Sequence, residues 1–230
     1  VTGWGAAPGP ATSLLLLRHG QTEQSGERRF AGRDDAPLTR DGERQAAAAG
    51  RRLARDGVDL IVTSPLLRAR RTAEAVAEAT GAPLAVEDGF AEADFGQWQG
   101  LTFGEARRGW PDAMSAWLAS PDAEPPGGES LATVALRVLA GLGRLLDGHR
   151  HRTAVVVSHV TPIKALVCRT LLAPPQAMFR MNLDVASLTR IDWFDDGASV
   201  LRSFNDTAHL RPAGTARSRA RRDGRAPSRR

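Results

Sequence analysis

Absences bound this chain before any motif does. Cys168 is the only cysteine, so no intrachain disulfide can form, and a cytoplasmic setting fits. It lies in the apolar run Ala165-Leu166-Val167-Cys168, where a packed thiol is expected rather than a nucleophile. Lys164 is the only lysine; the other cations are arginine. With abundant Ala, Gly and Pro this reads as coding bias, so an arginine is not functional by default. No apolar stretch approaches the length of a membrane span, and Leu14-Leu15-Leu16-Leu17 is too short for the core of a signal peptide. No internal repeat is present. His149 and His151 flank Arg150 without partner spacing, so no metal site is expected there.

What is there is a soluble globular composition. The 230 residues are 42% hydrophobic and 25% charged, enough for a substantial core. The net charge of +5 is unevenly spread: residues 211–230 hold eight arginines against one acid, Asp223, which leaves residues 1–210 slightly acidic. Residues 209–230 are expected to form a disordered Arg-rich tail that begins at an exposed His209. No aromatic is interleaved there to stack on bases, so nucleic acid is only a weak expectation as partner. Residues 1–12, mostly Gly, Ala, Pro and Thr, read as a flexible arm or linker.

Between these ends, strands alternate with helices. Leu14–Leu17 reads as a buried strand, followed by an irregular loop over residues 24–37. Thr39 caps a helix over 41–56, with Gly57 as its stop. A strand over 58–63 meets Ser64-Pro65, read as N-cap and first position of a helix running to residue 80. A brief strand follows at 84–86. Residues 88–128, richer in Gly, Pro and Trp, read as an insertion over the active-site edge with helical pieces near 103–109 and 112–118. A helix over 129–148 precedes the strand Thr153-Ala154-Val155-Val156-Val157-Ser158, whose continuous apolar run marks a central position. Thr161-Pro162 repeats the cap-then-proline device, for a helix ending near 172. Residues 187–194 and 199–204 form a hairpin around Asp195-Asp196-Gly197. The expected architecture is α/β: a three-layer α/β/α domain over residues 13–208, with a mostly parallel sheet and helices on both faces.

Three strands end in similar chemistry: the first at Arg18-His19, the second at Ser64 with Arg68 one turn on, the third at Ser158-His159. Helix N-termini offer free N–H groups and positive potential, arginines chelate phosphoryl oxygens, and ligands of open α/β sheets bind at this edge. Together they describe an anion site suited to a phosphate.

Four stretches in this order resemble the motifs of the histidine phosphatase superfamily, the phosphoglycerate-mutase-like fold: Leu17-Arg18-His19-Gly20-Gln21-Thr22-Glu23; residues 64–73 around Arg68; Phe90-Ala91-Glu92-Ala93-Asp94; and Val156-Val157-Ser158-His159. The resemblance spans residues 13–206. Asp94-Phe95-Gly96-Gln97-Trp98-Gln99-Gly100, Pro125-Pro126-Gly127-Gly128-Glu129-Ser130 and residues 158–164 look like one branch, the acid phosphatase domain of actinobacterial bifunctional ribonuclease H/acid phosphatases, related to α-ribazole phosphatase. The ribonuclease half has no counterpart before Ser13.

The resemblance implies phosphoryl transfer through a phosphohistidine on His19, without metal or cofactor. Arg18, Arg68 and His159 would hold the phosphoryl oxygens. Gly20, Thr22 and Ser25 would add phosphate contacts, Gly20 by letting the backbone approach. Glu92 would protonate the leaving oxygen, with Asp94 as the substitute acid. The expected partner is a small phosphomonoester, α-ribazole 5′-phosphate among the candidates, and oligomeric state is unreadable. This chain departs from the pattern in carrying Ser25 where the family often has Asn, and Val160 where it often has Gly. The tryptophans and phenylalanines of residues 95–117 are expected mainly to pack the core. The rival readings are a phosphoglycerate-type mutase using the same residues, and a non-catalytic module binding phosphoesters or nucleic acid.

Overall fold

The computed structural model describes residues 9–211. The expectations for residues 1–8 and 212–230 fall outside the described residues. In chain order the main elements are β1 (Ala11–Arg18), α1 (Glu23–Gly26), α2 (Arg40–Leu53), β2 (Leu60–Thr63), α3 (Leu67–Thr80), β3 (Leu84–Val86), α4 (Phe103–Gly109), α5 (Pro111–Ala119), α6 (Leu131–Gly148), β4 (Thr153–Ser158), α7 (Val160–Thr170), β5 (Leu188–Phe194) and β6 (Ser199–Asp206). No described helix is long and apolar enough to cross a membrane.

The six strands form one sheet in the order β3-β2-β4-β1-β5-β6. The first four run parallel, while β5 is antiparallel to both β1 and β6. The alternation of each central strand divides the core in two. Leu14 and Leu16 of β1, with Ala154 and Val156 of β4, join the cluster under α6 and α7. Leu15 and Leu17, with Val155 and Val157, join the cluster under α2 and α3. This is why β1 and β4 read as unbroken apolar runs: both faces are covered, at roughly 1.5–3 kcal/mol per fully buried Leu or Val. The arrangement is the expected three-layer α/β/α.

The ends of the fold lie further out than expected. β1 begins at Ala11, and Thr12 is buried, its Oγ1 accepting from the His151 N–H at 3.0 Å. At the other end a 3₁₀ turn, Ala208–Leu210, packs on α2, so His209 is half-buried rather than exposed. Residues 88–128 do more than cover an edge, because Phe90, Trp98, Met114 and Trp117 belong to the α6/α7 core cluster.

Both cap-then-proline readings are corrected. α3 starts at Leu67 with no cap from its own N-cap residue, Leu66; the Leu67 N–H donates instead to Asp35 Oδ1 at 2.5 Å. α7 starts at Val160, and its Val160 and Thr161 N–H groups donate to the Glu92 carboxylate, each at 3.2 Å. In each case a distant acid takes the first helical N–H, while Ser64 Oγ accepts from Leu66 N–H at 3.3 Å, just ahead of α3. The Thr39 cap of α2 stands as read, with Oγ1 accepting from Gly42 N–H at 3.1 Å. The loop after β1 also contains a turn of helix, α1, closed by a reciprocal capping box between Thr22 and Ser25.

α2 crosses the end of β1 at backbone contact. A Cβ on Gly20 would overlap Gly42 O, and one on Gly42 would overlap Gln21 O. Gly104, inside α4, faces open space by comparison, its nearest neighbour being the flexible Arg108 guanidinium at 3.6 Å. The same substitution therefore has opposite expected signs. Gly42→Ala lowers stability by about 1–3 kcal/mol through overpacking, while Gly104→Ala raises it by up to about 1 kcal/mol through helix propensity. Urea unfolding of the two variants checks this; equal shifts would show that α2 can slide away from β1.

Candidate active site

The carboxyl ends of β1, β4 and β2 lie side by side. Arg18 sits opposite Ser158 in the β1–β4 register. The His19 N–H donates to Ser158 O at 3.0 Å and the Ser64 N–H to Val157 O at 3.0 Å. The three strand ends read from the sequence are thus neighbours, and the rings of His19 and His159 come within 5.0 Å, centroid to centroid.

His19 is buried, and its Nδ1 lies 2.7 Å from Gly20 O. A carbonyl only accepts, so Nδ1 carries the proton and Nε2 keeps its lone pair. Arg68 Nε donates toward that lone pair at 3.3 Å. Burial first, then the charges of Arg68 and Arg18, push the His19 pKa well below 6.5. His159 is shifted the same way by burial, then by Arg68. Its Nε2 is 2.7 Å from Ser64 Oγ, and its buried Nδ1 has no protein partner.

Arg68 is fully buried; its Nη2 donates to Gly32 O at 2.8 Å and its Nη1 to Asp34 O at 2.5 Å. Arg18 donates to Leu183 O at 2.5 Å, and its buried Nε has no partner. Burial pulls the Arg18 pKa down to about 10, against the opposing charges of Glu92 and Asp184, so it stays cationic at neutral pH. Among the described residues no carboxylate pairs with either guanidinium. Two desolvated cations without a counterion make a site that favours an anion.

Both arginines line a cavity of about 650 Å³, as do His19, Glu92, Ser25 and Lys164. The Glu92 carboxylate sits on the N-terminus of α7, accepting from Ala93, Val160 and Thr161 N–H. Asp94 turns away, its Oδ1 accepting from Gly96 N–H at 2.8 Å. His159 does not line the cavity; it stands behind His19, against Ser64.

Two expected phosphate contacts are redirected. The Gly20 N–H donates to Thr72 Oγ1 at 3.1 Å and its carbonyl serves His19, so this glycine is required by the α2 crossing rather than by a phosphate. Thr22 is fully buried and off the cavity wall, its hydroxyl accepting from Ser25 N–H. Ser25 faces the cavity, although its hydroxyl already donates to Thr22 O at 3.0 Å.

Motif spacing gives no sign of some cavity residues. Lys164, the one lysine, stands four residues after Val160 on α7, and both line the cavity. Burial and the nearby Arg18 lower its pKa. The aromatics divide: Phe95, Phe103 and Trp117 line the cavity with Phe30 and Phe179, while Trp98 and Trp110 only pack. Arg70 and Arg71 are exposed, and Cys168 is a buried free thiol.

Comparison with known proteins agrees with this geometry. Residues 14–207 match the family model of the histidine phosphatase superfamily (branch 1). The chain is 46% identical over 209 residues to the bifunctional protein Rv2228c of Mycobacterium tuberculosis, covering 90% of this chain but 57% of that protein. It thus spans little more than half that relative's length. It is 34% identical to phosphoserine phosphatase 1 of Hydrogenobacter thermophilus, covering 86% of this chain and 93% of the relative. It is equally 34% identical to a probable phosphoglycerate mutase GpmB of Klebsiella pneumoniae, covering 86% and 94%. Among solved structures, mycobacterial glucosyl-3-phosphoglycerate phosphatase Rv2419c complexed with VO3 superposes with a TM-score of 0.78 at 32% identity, covering 86% of this chain and all of that one. With the family match extending over nearly every described residue, the chain belongs to the histidine phosphatase superfamily.

Proposed function

We propose that this chain hydrolyses small phosphomonoesters through a phosphohistidine on His19, with no metal ion. The observation that carries the reading is the tautomer of His19. Gly20 O holds the proton on Nδ1, which leaves the Nε2 lone pair beside a buried, unpaired Arg68. A neutral imidazole aimed at a pocket of fixed positive charge is a nucleophile for phosphorus.

In the first step Nε2 bonds to phosphorus as the ester P–O bond breaks, and Glu92 donates a proton to the departing oxygen. In the second, water attacks phosphorus, its proton passes to Glu92, and the P–N bond breaks to give inorganic phosphate. Arg18 and Arg68 bind the equatorial oxygens and balance the charge that develops on them, while His159, off the cavity wall, backs the His19 ring. Arg68 trades its 3.3 Å contact with Nε2 for a phosphoryl oxygen. Ser25 is placed for a further contact at the cavity wall; Gly20 and Thr22 act by holding the loop that carries His19.

The leaving group occupies the rest of the cavity, where Phe30, Phe95, Phe103, Trp117 and Phe179 form the wall. A planar apolar body suits it, as in the benzimidazole of α-ribazole 5′-phosphate. Phosphoserine and glucosyl-3-phosphoglycerate, named for the relatives, are the competing candidates on a substrate panel.

Two outcomes are expected. His19→Ala abolishes phosphate release, a loss on the order of 10⁴-fold or more, and removes the acid-labile label that the unaltered chain takes up from a radioactive phosphomonoester. Activity that survives this change overturns the mechanism, and isomerisation without phosphate release selects a mutase. The second concerns pH. A depressed His19 pKa means that the nucleophile becomes protonated only well below 6.5, so kcat/KM holds as pH falls through 6.5 and is lost further down. A ¹H–¹⁵N titration of the His19 ring checks the assignment; protonation at pH 6.5 would refute it.

A further inference from the structure

We propose that Arg137 and Glu129 are positioning residues that hold Glu92 in place as the general acid. This inference rests on the role given to Glu92 above.

Arg137 projects from the middle of α6, and every N–H of its guanidinium has an acceptor. Nη1 donates to Gly89 O at 2.9 Å and Ala91 O at 2.6 Å, and Nη2 to Glu92 O at 2.9 Å. Nε and Nη2 complete a fork on Glu129, at 3.0 Å to Oε1 and 3.0 Å to Oε2. Five donors thus meet five acceptor contacts, the full capacity of the group. Glu129 Oε2 in turn accepts from Asp94 N–H at 2.8 Å and Arg33 Nη2 at 3.2 Å. The backbone on both sides of Glu92, from Gly89 to Asp94, is therefore gripped by one ion pair.

This segment needs such a grip. It leaves a 3₁₀ turn at Asp88–Phe90 and does not enter the next such turn until Gly96–Trp98, so no helix or strand fixes residues 91–95. The carboxylate of Glu92 is held only by N–H groups of its neighbour and of α7. Arg137 touches neither the carboxylate nor the cavity, so it acts through the Glu92 backbone. Lysine could not replace it, having three donors from one point where the arginine fork spans three carbonyls and a carboxylate. A displacement of the order of 1 Å at the acid is enough to cost 10²-fold in rate.

The readout that separates this role from a purely structural one is the leaving group. A p-nitrophenolate departs with little help from an acid, whereas an alkoxide such as that of phosphoserine requires a proton. Arg137→Lys is expected to lower kcat/KM, which reports the step that expels the leaving group and not the later hydrolysis, at least tenfold for an alkyl phosphate and less than threefold for p-nitrophenyl phosphate. Glu92→Gln, measured beside it, is expected to show the same selectivity more strongly. Glu129→Gln preserves shape and serves as the second variant should Arg137→Lys not fold; it is expected to show the same selective loss. Equal losses on both esters, or none, while Glu92→Gln remains selective, overturn the positioning role alone. If Glu92→Gln itself loses both esters equally, the acid assignment fails and this inference falls with it.

Discussion

A guanidinium that is fully buried and has no carboxylate to pair with is costly, and the site is built around that cost. Arg68 offsets part of it with two loop carbonyls, Gly32 O and Asp34 O, and the rest is left facing the cavity. The consequences spread outward. The loop between α1 and α2 is held at its carbonyls by a residue of α3. Both histidines lie in the field of that charge, which together with burial keeps them neutral where an exposed imidazole would titrate. On the proposed function, an incoming phosphate would meet cations already desolvated and oriented, so that little reorganisation would accompany charge development in the transition state.

The parts of this arrangement legible in the sequence are those that strand geometry dictates. A buried parallel strand is a continuous apolar run, its end is where polarity returns, and the carboxyl ends of parallel strands share one edge of the sheet. Leu17-Arg18-His19, Thr63-Ser64 and Val157-Ser158-His159 could therefore be placed together before any coordinates. What was misread depended on partners remote in sequence. Ser64 and Thr161 look like caps, but Asp35 and Glu92 reach the two helix starts instead, across separations of 32 and 69 residues. Gly20 looks like a phosphate loop glycine, but the backbone at Gly42, on another element, sets its size. Local spacing carries no record of such encounters. Arg137 leaves no signal for the same reason: nothing about its neighbours in sequence announces three carbonyls supplied by residues 89–92.

Glu92 joins two of these stories. As the ligand of the first N–H groups of α7, it does for that helix what an N-cap side chain would do, and it meets the positive end of the helix dipole. The same helix begins one residue after His159 and carries Lys164 on its cavity side. A carboxyl, an imidazole and an ammonium are thus fixed relative to one another by a single helix start. A shift of α7 would move His159 and Lys164 and break the hydrogen bonds that α7 makes to the Glu92 carboxylate.

The two halves of the cavity have different origins, and this bears on how its chemistry and its specificity relate. The phosphate half comes from strand ends whose register is locked by buried pairing on both faces of β1 and β4, so it tolerates little change without loss of the core. The wall to which we assign the leaving group comes from residues 28–31, from the stretch between Phe95 and Trp117 that includes α4 and part of α5, and from residues 178–185. Phe103 and Phe179 there remain partly exposed, at 42% and 38%. Side chains that contribute little to the core can change at small cost in stability. On the proposed chemistry, exchange at Phe103 and Phe179 can therefore change which phosphomonoester fits, while Phe95 and Trp117 are held by the core and Arg18 and His19 by the sheet.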